Sequence, residues 1–493
     1  MIKDLISDYL VGKGGDLVAK HWRWSGQLIG ILAFLFCGIG VLPSIAQGAD
    51  SAKLIVGVHG QYRDINSALT AAQPGQTIVV EPGIYQERLT INKPLTLLGQ
   101  EGAVIDGGGQ GNIILIDQTQ GVTVSGLTLR NSGGPAVIPY AGVKVVESQN
   151  ITVDHLQMSE IEHGVYLEKS RYCLVDANQI SGKTSLSSED RGDGIGLWRS
   201  EHNLFANNHV WNVRDGIKFD FSSFNEVRGN KFDHLRYGIH YMYSNDNTFD
   251  HNLFENNVAG ATPMFSKRIQ FTNNIFAHMP GERAYAIFLQ DSDDCVIKDN
   301  LIMQSNVGLY FDHSSNNVVE GNMVISCGVA LRISGTSTEN KFTGNTLENN
   351  VIQVGLDHLG LPNTWSVKGQ GNYWGDYKGY DFTGSGIGAL PYNSVNYLAK
   401  AIYKQPILQL FSDSPGILAL GQGLQMFPLW QSPSIQDKHP LMHSPAVPAE
   451  WQPYLSSASS QGNPRLFAAL SGTSILAAWA ILSNGWRRRR KDA

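Results

Sequence analysis

The sequence predicts an all-β fold, a right-handed parallel β-helix whose coils are about 22 residues long. Three observations predict this fold. Glycines begin successive units at a fixed interval of 22 residues, at Gly194, Gly216, Gly238 and Gly260. In the strand after each glycine, apolar and polar residues alternate, as they do when one face of a β-strand is buried. Asparagines return at fixed places in each unit, which is typical of stacked units in a solenoid.

The composition limits the classes of partner and of covalent framework. The 493 residues include 37 basic and 43 acidic ones, a formal net charge of −6. This balance does not favour nucleic acid or a polyanionic substrate as the partner. Four scattered cysteines are too few for a disulfide framework: Cys37, Cys173, Cys295 and Cys327. We expect Cys173 and Cys295, five units apart, to be buried and unreactive.

Residues 1–46 have the pattern of an export signal. Basic residues precede an apolar run from Leu28 to Leu42, and Ser44-Ile45-Ala46 offers a small-residue cleavage site. An uncleaved anchor helix is the alternative interpretation.

Residues 54–111 are predicted to cap the lower end of the solenoid. A short helix is expected over Tyr62 to Ala72, because apolar residues recur there at spacings of three and four. Short strands follow, at Ile78–Val80, Leu89–Ile91 and Leu95–Leu98. This opening resembles the start of many right-handed parallel β-helix proteins, in which such a segment covers the open core.

Residues 112–367 are predicted to form the repeats themselves. Two units are longer than the rest, and their extra residues (KTSLSSEDR and MPGER) are polar or turn-forming, so they should project as loops. One asparagine column is expected to form a ladder of side-chain hydrogen bonds down the stack: Asn178, Asn208, Asn230, Asn252, Asn274, Asn300 and Asn322.

The outward positions of the glycine-started strands hold the candidate metal ligands. Met242 and Met264 occupy the same place in successive units, and His240 lies two residues before Met242 on the same side of its strand. Two thioethers and an imidazole suit Cu(I), a soft ion that prefers sulfur. The alternative is an apolar contact patch for a partner, formed together with Trp198, Phe221, Tyr243 and Phe265; the two interpretations are compatible.

A second constellation is acidic and would suit a carbohydrate-active enzyme. Glu168 and Asp220 face outward two units apart, roughly 10 Å at strand spacing, which is at the wide limit for an inverting pair. The sequence contains no HExxH, CxxC pair, GxSxG or phosphate-binding glycine loop. No residue is therefore assigned a catalytic role.

The C-terminal part divides into four predicted segments. Residues 368–392 form a cap, and 393–463 form an apolar partner-binding arm and linker. Residues 464–486 form a predicted transmembrane helix, because the apolar run from Leu466 to Trp486 is long enough to cross a bilayer. The basic residues of 487–493 predict a cytoplasmic end, with the solenoid outside.

Several motifs together resemble the NosD family of periplasmic maturation factors for nitrous oxide reductase. These motifs are GIGLW from Gly194, RYGIHYMYS from Arg236, MFS from Met264, DSDD from Asp291 and the cap up to Tyr392. Short motifs after the cap also fit, and the resemblance spans most of residues 54–443. The repeat alone is shared with many carbohydrate enzymes, whereas RYGIHYMYS with the cap is more specific.

The resemblance implies an accessory protein on the outer face of the cytoplasmic membrane, not an enzyme. Such proteins associate with an ABC transporter, comprising an ATPase and a permease, and assist copper and sulfur delivery to the copper–sulfide centre of nitrous oxide reductase. A copper chaperone lipoprotein is a further implied partner. The resemblance adds support for Cu(I) at His240, Met242 and Met264. A polysaccharide lyase or hydrolase remains the alternative function.

Overall fold

The computed structural model describes residues 53–134, 138–279, 281, 283–357, 362–395 and 434–461. Among these residues, no helix has the length and apolar character needed to cross a membrane. The predicted signal segment 1–46, the membrane segment 464–486 and the basic tail 487–493 lie outside the described residues. So does most of the predicted arm, between residues 396 and 433.

Three long parallel sheets form the faces of the solenoid. Sheet 1 has 12 strands: Leu89–Ile91, Ile114–Asp117, Ala141–Val146, His163–Glu168, Ile195–Trp198, Asp215–Asp220, Tyr237–Met242, Ala259–Met264, Tyr285–Gln290, Val307–Asp312, Val329–Ser334 and Ile352–Leu356. Sheet 2 has 13 strands: Leu54–Val56, Thr77–Val80, Leu95–Gly99, Val122–Ser125, Thr152–Asp154, Leu174–Asp176, Leu204–Ala206, Glu226–Arg228, Thr248–Asp250, Gln270–Thr272, Val296–Lys298, Val318–Glu320 and Lys341–Thr343. Sheet 3 also has 13 strands: Gly83–Tyr85, Ala103–Asp106, Thr128–Arg130, Gln157–Ile161, Gln179–Gly182, His209–Trp211, Lys231–Asp233, Leu253–Glu255, Ile275–Met279, Leu301–Ser305, Met323–Ile325, Thr346–Glu348 and Tyr373–Trp374.

The pairing register confirms the predicted parallel solenoid and its period. Ile217 pairs with Ile239, its equivalent one unit later, and both strands run in the same direction. Each coil contributes a strand to sheet 1, then to sheet 2, then to sheet 3. The strands of residues 54–111 also enter the three sheets, so the stack begins at Leu54.

The repeating glycines face the core and leave room for large side chains. A Cβ added at Gly238 would lie 2.5 Å from the carbonyl oxygen of Gly260 and 2.5 Å from the ring of Phe254. Phe254 is fully buried and stacks between Phe232 and Phe276, with ring centroids 5.1 and 4.5 Å apart. The glycine period therefore reflects packing: Ala286 and Ala330 show that a methyl group can be accommodated at this place in other coils, whereas a bulky side chain here would separate neighbouring coils.

The predicted asparagine ladder is confirmed. The side-chain amide of Asn230 donates to Oδ1 of Asn252 at 3.0 Å, and Asn252 donates in the same way to Asn274. The ladder continues to Asn372, where the buried carboxylate of Asp437 accepts the Asn372 backbone N–H at 2.7 Å. Each buried amide is thus satisfied by the coil above it.

Cys173 and Cys295 are buried and free, as expected, and so is Cys327. Burial raises the pKa of Cys173 to about 11 and that of Cys295 to about 12, and it raises the pKa of Cys327 to about 12. Thiols in this state are poor nucleophiles and poor metal ligands at neutral pH. They are therefore part of the core and not of a site.

Helices and tail segments cover the two ends of the stack. The first helix spans Ile65–Ala71 and not Tyr62 to Ala72, because Asp64 caps its first turn by accepting the Ser67 N–H at 2.8 Å. At the other end, strands Tyr392–Val395 and Ser434–Asp437 pair antiparallel. The other described helices are the short 3₁₀ turns Ser188–Asp190 and Ala449–Trp451 and the α-helix Gln452–Gln461.

The chain after Asp437 runs back along sheet 3. Ser444 contacts Thr346 through their hydroxyl groups at 3.0 Å, and Trp451 is buried against Leu301, Met303 and Met323. These sheet 3 residues face outward, and the tail covers their apolar side chains. This docking was not predicted from the sequence.

Candidate functional site

The predicted metal ligands lie together on the outer face of sheet 1. Met242 pairs directly with Met264, and His240 pairs with Thr262, in adjacent parallel strands. Such strands are about 4.8 Å apart, so the two thioether side chains are neighbours. His240 is two residues before Met242 and shares its side of the strand. The two methionines and His240 are half-buried, which leaves part of each at the surface.

The His240 ring is held from the interior by Asp215. Its Nδ1 lies 2.9 Å from Oδ2 of Asp215, whose side chain is fully buried at 0% exposure. The ring edge also contacts Tyr237, with centroids 5.4 Å apart and planes at 68°. These contacts restrict the orientation of the imidazole.

Asp215 is anchored by an arginine from the next coil. Arg236 donates from Nε to Oδ1 at 2.9 Å and from Nη2 to Oδ2 at 2.6 Å. Burial raises the pKa of Asp215, but the hydrogen bonds from His240 and Arg236 outweigh it and leave that pKa below its ordinary value. Arg236 also reaches Glu189 of the inserted loop, at 3.3 Å. The carboxylate is therefore ionised and fixed in place.

A second buried carboxylate, Asp193, lies one coil below Asp215. Arg214 donates to it at 3.0 Å, and the Asp193 backbone N–H donates to Nδ1 of His163. Burial, together with the nearby charge of Asp215, raises the pKa of Asp193 to about 6. Burial also lowers the pKa of His163 to about 4, so this ring is neutral.

Sequence reasoning missed this pair of carboxylates. The available signal was a repeated Asp-Gly-Ile, since Asp193 and Asp215 each precede a unit-starting glycine. Other units have uncharged or aromatic residues at that position: His163, Tyr237, Ala259, Tyr285, Val307 and Val329. A carboxylate at a position where other units have no acidic residue indicates a specific partner, because an unpaired buried charge is costly.

The donor set on sheet 1 fits a soft monovalent ion. Two thioethers and one imidazole carry no formal charge and include the soft sulfur atoms that Cu(I) prefers. Within the part of the chain that the structure describes, His, Cys, Asp and Glu form no group of three or more that could hold a metal. The chemistry of this patch therefore favours Cu(I) over zinc or calcium.

An exposed column of aromatic rings borders the methionines. Phe221, Tyr243 and Phe265 follow the outward positions of three successive strands, and their rings stack at 5.3 and 5.2 Å. They are 55%, 48% and 40% exposed. We call these three residues the aromatic column. Contiguous exposed aromatic surface of this kind is typical of protein contact sites.

The acidic candidates are not brought together. Glu168 and Asp220 lie on either side of Trp198 in the register of sheet 1. Each is bound to a lysine, Lys144 to Glu168 at 3.2 Å and Lys218 to Asp220 at 3.0 Å. Both carboxylates are thus partnered by neighbouring cations.

Comparison with known proteins places this chain in a family. The family model described as "Periplasmic copper-binding protein (NosD)" matches residues 177–379, which include His240, Met242 and Met264. A "Probable ABC transporter binding protein NosD" of Stutzerimonas stutzeri is 33% identical over 379 residues, covering 74% of this chain and 86% of the relative. The protein of the same name from Pseudomonas aeruginosa is 34% identical over 381 residues, covering 74% and 88%.

Solved structures share the fold at low identity. The surface adhesin PfbA of Streptococcus pneumoniae superposes with a TM-score of 0.52 at 14% identity, covering 62% of this chain and 92% of the adhesin. The A-module of the Azotobacter vinelandii mannuronan C-5 epimerase AlgE6 gives 0.50 at 16% identity, covering 63% and 93%. An adhesin and an epimerase on one fold show that the solenoid alone does not specify a function. The sequence relatives do identify the family: the chain belongs to the NosD family, which is described as periplasmic and copper-binding.

Proposed function

We propose that this protein is an accessory factor in the maturation of nitrous oxide reductase. It would assist copper and sulfur delivery to the copper–sulfide centre of that enzyme, together with an ABC transporter made of an ATPase and a permease. The curated relatives are named as ABC transporter binding proteins, which supports the transporter as a partner. The observation that carries the proposal is the in-register pairing of Met242 with Met264 beside His240.

Copper is cargo in this proposal. The neutral donors Met242, Met264 and His240 would hold Cu(I) at the surface of sheet 1, where a partner can reach it. Thioethers are soft, uncharged donors that suit Cu(I). Such a site suits reversible transfer from a copper chaperone lipoprotein and onward to nitrous oxide reductase.

The aromatic column would be the contact surface for a protein partner. Two of its rings come directly after the methionines in the sequence, since Tyr243 follows Met242 and Phe265 follows Met264. A partner seated on these rings would exclude water from the transfer site while the ion changes ligands. The copper site and the contact patch are then two parts of one surface.

The protein would act outside the cytoplasm, held at the membrane. Residues 1–46 would direct export, and residues 464–486 would anchor the chain with residues 487–493 in the cytoplasm. Trp451 packs on sheet 3, and the helix Gln452–Gln461 that follows it ends shortly before residue 464 in the sequence.

A strain without this protein tests the proposed function. We expect it to produce nitrous oxide reductase that lacks the copper–sulfide centre, visible in the absorption spectrum and copper content of the purified reductase. Restoring the unmodified protein should restore the centre. A normally metallated reductase in the deletion strain would contradict the proposal.

We also propose that the protein does not itself turn over a substrate, and this can be tested against the carbohydrate alternative. Incubation with alginate and with pectin should release no unsaturated or reducing ends, because Glu168 and Asp220 are separated and each is bound to a lysine. Product release by the unmodified protein that disappears in Asp220→Asn would favour the enzyme interpretation.

A further inference from the structure

We propose that Asp215 is a positioning residue that presents Nε2 of His240 to a soft metal ion on the face of sheet 1. The inference rests on the proposed function, because it concerns the same ion. It adds a residue that is itself fully buried and belongs to the coil below the candidate ligands.

The contact between the two side chains crosses from one coil to the next. Asp215 begins the strand Asp215–Asp220 and pairs in register with Tyr237, three residues before His240. From this first position of the strand, Oδ2 of Asp215 lies 2.9 Å from Nδ1 of His240. The carboxylate thus reaches the imidazole diagonally from the interior, while the ring retains 18% exposure at the surface.

The hydrogen bonds of Asp215 decide which ring nitrogen carries the proton. Both of its oxygens accept from Arg236, the bidentate arrangement of an ionised carboxylate. An ionised carboxylate can only accept, so Nδ1 of His240 must be the donor. In the neutral imidazole, Nε2 then holds the lone pair that a metal ion requires.

This arrangement has the features of a carboxylate–histidine–metal unit. The carboxylate fixes the tautomer and the ring orientation and makes the ligand nitrogen more basic. The Tyr237 ring edge against His240 further limits rotation. Loss of such an orienting partner typically costs 10–100-fold in metal affinity.

Asp193 provides a matched control. It occupies the same place one coil below and is also buried and bound to an arginine. The position that corresponds to His240 in the next coil from Asp193 is Lys218, which is ion-paired to Asp220. Asp193→Asn therefore changes a comparable buried carboxylate that makes no hydrogen bond to His240, although its partner Arg214 also approaches Asp215, at 3.7 Å.

The first experiment measures Cu(I) affinity by anaerobic competition with a chromogenic chelator. We expect Asp215→Asn to weaken binding about 10-fold to 100-fold, whereas Asp193→Asn should stay within about twofold of the unmodified protein. Equal affinity of Asp215→Asn and the unmodified protein would overturn the positioning role but leave the copper site intact. No binding by the unmodified protein would instead overturn the proposed function.

The second experiment observes the His240 ring in the unmodified protein, so it does not depend on whether an Asp215 variant folds. In protein labelled with ¹⁵N-histidine, the His240 ring signals can be assigned by their absence in His240→Gln. We expect the neutral ring to be protonated at Nδ1 in the metal-free protein. A ring protonated at Nε2 would overturn the inference, because that tautomer has no lone pair for a metal at Nε2.

Discussion

Replacing both Met242 and Met264 with leucine is expected to abolish Cu(I) binding by the protein. The two thioethers are neighbours in register and supply both soft donors of the candidate site. Leucine has nearly the same volume and remains apolar, so the half-buried face of sheet 1 should keep its packing. Anaerobic titration with Cu(I) against a chelator measures the loss, and circular dichroism checks that the solenoid persists.

Met303→Leu is the matched control for this double change. Met303 lies in sheet 3 and is fully buried beneath the docked tail. Its thioether is surrounded by apolar side chains. Binding should be unchanged in Met303→Leu and intermediate in each single variant at positions 242 and 264. If the double variant binds Cu(I) as well as the unmodified protein, the two methionines belong only to the contact surface.

Gly238→Val is expected to cause the largest loss of stability, about 3 kcal/mol in the free energy of unfolding. The new side chain would meet the Gly260 carbonyl of the next coil and the Phe254 ring. Gly260 lies within the strand Ala259–Met264 of sheet 1, and Phe254 is confined by two stacked rings. Neither can move without separating coils. Chemical denaturation followed by circular dichroism measures the change.

Ala286→Gly is the control at the same place in another coil. Alanine is already accommodated there, with the core formed around it. Removing one methyl group should cost only about 1 kcal/mol. A Gly238→Val variant as stable as the native protein would show that the glycine period is not set by core packing.

The neighbouring positions of His240, Met242 and Met264 could be predicted because two simple periodicities determine them. Alternation along a strand places His240 and Met242 on one side, and the 22-residue repeat places Met264 beside Met242. No side-chain conformation is needed for that deduction. The asparagine ladder follows from the same periodicity, and its hydrogen bonds lie where the sequence predicts them.

The contact of Asp215 with His240 could not be predicted in this way. Asp215 lies before the alternating part of its strand, and it reaches a histidine 25 residues later in the chain. Whether a side chain at the start of a strand turns toward the next coil depends on the local backbone conformation and on the other groups that can bind it. Here Arg236 holds the carboxylate in that direction.

The docking of the tail on sheet 3 could not be predicted from the sequence either. Trp451 covers Leu301, Met303 and Met323, residues that look like ordinary strand residues in the sequence. Their outward apolar side chains indicate that something covers sheet 3, but the sequence does not say which segment does so.

The sequence by itself determined the solenoid, its period and the set of outward side chains. In a repeated coil, residues one period apart occupy equivalent positions on the same face, so their spacing in the sequence is enough to place them. Only the tertiary structure decided how the buried charges pair, how the imidazole is oriented and where the tail lies. Those contacts join residues of different coils or distant segments. Their geometry depends on side-chain packing that cannot be derived from the local periodicity of the sequence.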